Sequence, residues 1–178
     1  MTEQKLLDLA ADCGFEHAGS LNVSALRFDP RVRDMCSADL CRSYGRSWTC
    51  PPHCGTLEEI SKKAARYSRG ILLQSTGHLE DDFDVDTMLE TEKLHKRRFK
   101  EFTAKVREVY PDCLPMGAGA CGQCGTCTCP DEPCRFPELA IPSMEAYGLM
   151  VSQVCLDSDI PYYYGKGTLT YTSCVLTE

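Results

Sequence analysis

Apolar positions along the chain recur with two different periods, and the changes of period mark the elements. Between Thr2 and Asp12 the stripe Leu6, Leu9 and Ala10 lies on one face of a helix, with Thr2 as its natural N-cap. Gly14 breaks that helix, and Phe15 to Leu21 reads as a strand. At Thr56-Leu-Glu-Glu59 a hydroxyl is followed three residues later by a carboxylate, as in a capping box. This predicts a helix running to about Ser68 and stopped by Gly70. Ile71 to Ser75 then reads as a buried strand. The longest predicted helix carries the stripe Met88, His95, Phe99, Phe102, Val106 and Val109. Its charges are sorted. The acids Glu80, Asp81, Asp82, Asp84, Asp86, Glu90 and Glu92 lead, and Lys93, Lys96, Arg97, Arg98, Lys100, Lys105 and Arg107 follow, the order that the helix dipole favours. His95 falls on the stripe and so reads as a packed core histidine rather than a metal ligand.

Leu114 to Ala118 is a candidate third strand. Ser143–Tyr147 and Met150–Ser158 are helical segments divided by Gly148, and Leu169 to Leu176, rich in Thr, Tyr and Val, closes the chain as a strand. Mixed helices and strands imply an α/β or α+β class: a small sheet with flanking helices in one domain, 1–178. Two cysteine-rich loops, 36–54 and 121–134, interrupt it.

Composition narrows the function classes. Hydrophobic residues make up 43% of the 178, enough for a packed core. A net charge of −7 gives no long-range attraction to nucleic acid or anionic lipid. No run approaches the roughly 18 apolar residues of a membrane span. The start MTEQKLLDLAADCGFE lacks the basic and apolar regions of a secretory signal. The expectation is a cytoplasmic chain with no nucleic-acid or membrane partner. The thirteen cysteines are the outlier. Thiols stay reduced in the cytosol, where clustered cysteines read as metal ligands or redox groups, and an odd number cannot all pair within one chain.

The second group runs Cys121-Gly-Gln-Cys124-Gly-Thr-Cys127, then Cys129 and Cys134, with Pro133 before the last. Three cysteines at successive gaps of two can each reach a different iron of one cubane, and a remote fourth closes the site, as in a bacterial ferredoxin run with a longer final gap. Zinc is the rival, but four-cysteine zinc sites normally use two well-separated pairs. The first group is Cys36, Cys41, Cys50 and Cys54, with Cys50-Pro51 resembling the end of a ferredoxin run. Its gaps are irregular, Cys54 is its least secured ligand, and His53 is a possible substitute. Cys13, Cys155 and Cys174 fall in helix or strand patterns and read as core. Cys113 is isolated, and Cys129 is either a replacement ligand or a bystander.

Cys41-Arg-Ser-Tyr44-Gly45-Arg-Ser-Trp48-Thr-Cys50-Pro51-Pro52 resembles the first motif of a cysteine-rich prokaryotic family of unknown function, labelled predicted metal-binding proteins and frequent in anaerobes. Cys121-x2-Cys124-x2-Cys127, Cys134-Arg135-Phe136-Pro137-Glu138 and Pro142-Ser143-Met144-Glu145-Ala146-x-Gly148 resemble its second. The resemblance implies metal binding, and it supports Cys36, Cys41, Cys50, Cys121, Cys124, Cys127 and Cys134 as ligands. Arg135 is placed to offset cluster charge. Phe136 either excludes water from the site or anchors its loop in the core.

The leading expectation is therefore two [4Fe-4S] clusters in a ferredoxin-like electron-transfer protein, or an electron-relay subunit, working with a redox partner protein. The alternatives are a redox or Lewis-acid enzyme with an open iron position, and a zinc-stabilised binding module. No Walker loop, G-x-G-x-x-G or H-E-x-x-H motif is present. The sequence leaves catalysis and oligomeric state open.

Overall fold

A computed structural model describes residues 1–178. In chain order the elements are α1 (Glu3–Asp12), β1 (His17–Ser20), α2 (Pro30–Met35), α3 (Leu57–Ala64), β2 (Arg69–His78), α4 (Val85–Val109), β3 (Leu114–Met116), α5 (Val151–Asp157) and β4 (Thr168–Thr177). The four strands form one sheet in the order β1-β2-β4-β3, and every pair is antiparallel. Helices thus flank an antiparallel sheet, which makes the class α+β rather than α/β.

The sheet is covered on both faces. Ile71 and Leu73 of β2 and Val175 of β4 pack with Leu6 and Ala10 of α1 and Phe99, Phe102 and Val106 of α4. The alternate residues Leu72, Cys174 and Leu176 pack with Ile60 of α3, Val154 of α5 and Met144. Burial on both faces explains why β2 reads as an unbroken apolar run.

The caps form as their residues demand. The Thr2 hydroxyl accepts from the Lys5 N–H, and Thr56 and Glu59 complete a reciprocal capping box. Several elements depart from expectation. Helix α3 ends at Ala64, short of Ser68, and Tyr67 turns inward to donate its hydroxyl to the Asp112 carbonyl. Helix α2 lies just ahead of the first cysteine loop, where no element was predicted. Asp29 caps it by accepting from the Arg31 N–H, and Pro30 opens it. Strands β2 and β4 run ten residues each because buried polar side chains pair across them. Gln74 donates to the Pro161 carbonyl and the Thr172 hydroxyl, and accepts from Tyr164. Val109 ends the α4 stripe 48% exposed.

His95 is fully buried, as its place on the stripe implies, with Nε2 at 2.7 Å from the Ser173 hydroxyl. Burial, aided by the Arg98 and Lys96 charges, pushes its pKa down to about 3, so the ring is neutral. No helix is long and apolar enough to cross a membrane.

Candidate metal centre

Each cysteine group lies in a loop held at its neck. The first loop leaves α2 at the short turn Cys36–Ala38 and reverses through left-handed residues at Asp39, Arg42 and Gly45. The Asp39 carboxylate accepts from the Tyr44 N–H at 2.9 Å and pairs with Arg46. The Cys54 and His53 N–H groups both donate to the Cys50 carbonyl, winding Cys50–Cys54 into one tight turn.

Three thiols of this loop, Cys36, Cys50 and Cys54, are raised chiefly by burial. Burial raises the Cys36 pKa, and negative charge at Cys41 and Cys54 raises it further. Burial pushes Cys50 up to about 11, with Cys41 and Cys54 adding to the rise against hydrogen bonds from Ser47 and Thr49. Burial also raises Cys54, opposed by Arg33, whose guanidinium lies 3.4 Å from Cys54 Sγ. Cys54 donates to the Ala146 carbonyl at 3.5 Å. The charge of Cys54 is felt at Cys36 and Cys50, but the four sulfurs do not close on one metal position. His53 stacks edge-on against Trp48 at 5.3 Å. Thiolate charge at Cys41 and Cys54 thus opposes ionisation of Cys36 and Cys50, behind the larger effect of burial.

The second loop leaves β3 and returns at Ser143. Cys121, Cys124, Cys127, Cys129 and Cys134 all line one cleft of about 540 Å³. Arg42, Arg46 and Trp48 of the first loop form part of its wall. At Cys127 burial raises the thiol pKa, but the backbone N–H groups of Cys129, Trp48 and Thr128 and the Ser47 hydroxyl outweigh it. The net pKa falls below the ordinary thiol value. The Trp48 indole N–H donates to the Glu132 carbonyl at 3.1 Å, and Cys129 Sγ lies 3.9 Å from the Gly45 carbonyl. The two loops therefore build the cleft jointly. Cys134 faces a second hollow of about 380 Å³ together with Cys54 and His53, so the two groups are neighbours.

All thirteen cysteines are free thiols, and no three Cys, His, Asp or Glu side chains close on a single metal position. The sulfurs ring a cleft instead. Five thiols line it beside a single carboxylate, Asp131, a sulfur-rich set that suits iron–sulfur clusters or zinc better than hard cations. Cys13, Cys113, Cys155 and Cys174 are buried away from both loops, and Cys174 is raised by complete burial. Arg135 donates to the Thr126 carbonyl at 2.9 Å, bracing the loop. Phe136 is 40% exposed and so anchors nothing in the core.

Sequence reasoning passed over two contributors and left a third undecided. Ser47 and Trp48 carried no ligand signal, and their approach to Cys127 depends on contacts some eighty positions apart in the chain. Cys129 is buried within the cleft wall, where spacing alone left it a bystander or a substitute.

A family model described as "Predicted metal-binding protein (DUF2284)" matches residues 19–177. No curated protein and no solved structure matches the chain.

Proposed function

The chain belongs to this predicted metal-binding family, and from that premise we propose that it is an iron–sulfur protein carrying two [4Fe-4S] clusters for electron transfer. The observation that carries the reading is the cleft in which all five cysteines of the second group meet arginines of the first loop. Cys121, Cys124, Cys127 and Cys134 would hold one cluster, and Cys36, Cys41, Cys50 and Cys54 the other. When bound, the clusters supply one-electron chemistry.

The chain's own residues do the tuning. N–H groups and a hydroxyl directed at Cys127 favour thiolate over thiol, and Arg42 brings a positive charge to the cleft wall. Arg33 does the same for Cys54. The adjacency of the two groups through Cys134 and Cys54 suits relay of an electron from one site to the other and on to a redox partner protein.

The test is metal analysis of anaerobically purified protein. The expected result is a brown protein that bleaches on reduction, with about eight irons and eight acid-labile sulfides per chain. A colourless protein holding one or two zinc ions refutes the reading.

A further inference from the structure

We propose that a cavity between α4 and the segment Gly117–Gln123 binds a small organic acid. Its carboxylate sits at a basic rim, and a hydroxyl or carbonyl oxygen at its far end is hydrogen-bonded by His95. The cavity has a volume of about 280 Å³, and His95 and Ser173 line it together with Phe99, Leu139 and Ile141. Both polar residues are fully buried.

The deep end has an unmet requirement. His95 Nε2 is held by Ser173 at 2.7 Å, while Nδ1 is buried without any partner. A buried polar atom left unpaired costs about 1–3 kcal/mol, so native structures seldom keep one without a use. Two threonine hydroxyls, of Thr103 and Thr177, share that condition, but neither residue lines this cavity. The ring is neutral, so Nδ1 donates or accepts according to which way the Ser173 proton points. A hydroxyl or a carbonyl oxygen is the complementary group.

The outer end has the opposite character. Lys96, Arg97 and Lys100 stand at the cavity's edge. Lys96 is neutralised by Glu92 at 2.6 Å. Lys100 meets only the neutral Gln123 side chain, at 3.1 Å, and Arg97 makes no salt bridge. Two cations without carboxylate partners at the mouth of an apolar-walled cavity select a single anionic head on a short apolar body. Cys121 lines the same cavity, so the bound acid lies beside the second cysteine group. The binding claim holds whichever metal those cysteines take.

The test is calorimetric titration of the anaerobically isolated protein with 4-hydroxybenzoate and with 4-oxopentanoate. At least one should bind saturably. Removing the far oxygen, by substituting benzoate or pentanoate, should weaken binding about fivefold, as loss of one neutral hydrogen bond does. The double variant Arg97→Glu, Lys100→Glu, altered only at exposed positions, should weaken binding tenfold or more while keeping its melting temperature. His95→Phe should erase the difference between each acid and its truncated analogue. Should that variant not fold, Gly117→Val replaces it. A Cβ at Gly117 meets Ile141 at 3.6 Å and Phe99 at 3.7 Å, so the valine methyls narrow the cavity and should abolish binding. The proposal is overturned if neither acid saturates at about 10 mM. Unchanged affinity in the double variant, or equal affinity for acid and truncated analogue, overturns it as well.

Discussion

Acidification from pH 7.5 to 5 should destabilise the fold through one residue. His95 is held neutral by burial, with a pKa of about 3 against 6.5 for a free histidine. A histidine depressed in this way contributes stability that is complete above 6.5. That stability is lost as pH falls, because the unfolded chain takes up a proton that the folded chain refuses. At pH 5 the loss is RT ln(1 + 10^1.5), about 2 kcal/mol, and it levels off at about 5 kcal/mol below pH 3. The window from 7.5 to 5 isolates this residue from the carboxylates. Asp29, Asp39, Asp84, Glu59 and Glu101 are all shifted down by hydrogen bonds and basic neighbours, so their losses fall at lower pH. The assay is urea unfolding of the wild type and His95→Gln, prepared identically, at several pH values. Glutamine can still meet Ser173 but does not titrate. The wild-type curve should fall about 2 kcal/mol further than the variant curve over the window. Parallel curves, or an imidazole resonance for His95 titrating near 6.5, would show that the ring is not desolvated and would refute the reasoning.

Cys124→Ala should remove roughly half the iron if it takes one ligand from one of the two proposed clusters. Cys155→Ala, a change in the core away from both loops, should leave iron content unaltered; equal loss in both variants contradicts the ligand assignment. Gly148→Ala should cost at least 1–2 kcal/mol in thermal unfolding and speed iron release to a chelator from both sites. There φ is +79°, and a Cβ would stand 2.9 Å from the Asp29 carbonyl oxygen. A variant as stable as the wild type contradicts the strain argument.

Much of the scaffold was legible because its signals are local. The Thr56–Glu59 capping box and the α4 stripe each lie within a few turns of chain, and both formed where expected. The capped helix α2 was hidden by its shortness and by the cysteines that follow it, although Asp29-Pro30 is itself a start signal. Strand β4 was read nearly whole, as Leu169 to Leu176, whereas β2 was legible only in its middle, Ile71 to Ser75. The far end of β2 continues through Thr76, Gly77 and His78, where Thr76 meets Thr170 across the strands, a pairing no periodicity shows. At the site the two groups of cysteines were readable from spacing, but the cleft that the two loops wall together around the second group was not. Trp48 reaching Glu132 is a contact of 84 positions, and nothing local specifies it.

The segment Ser143–Gly148 explains how two loops without regular structure keep a common geometry. Gly117 donates to the Pro142 carbonyl and accepts from the Met144 N–H, a parallel bridge that closes the neck of the second loop. A few residues on, the Ala146 carbonyl receives Cys54, and the Gly148 carbonyl receives the Asp29 N–H at the cap of α2. Met144 and Ala146 are anchored in the interior, at 0% and 2% exposure. One buried strap thus grips both loops, and its glycine lies against the α2 cap with no room for a side chain. This gives a physical reason for the run Pro142-Ser143-Met144-Glu145-Ala146-x-Gly148, which contains no cysteine. The run serves the site by position, fixing how far apart the two cysteine groups sit. Loosening the strap should therefore perturb both groups together, whereas loss of any single cysteine perturbs mainly its own.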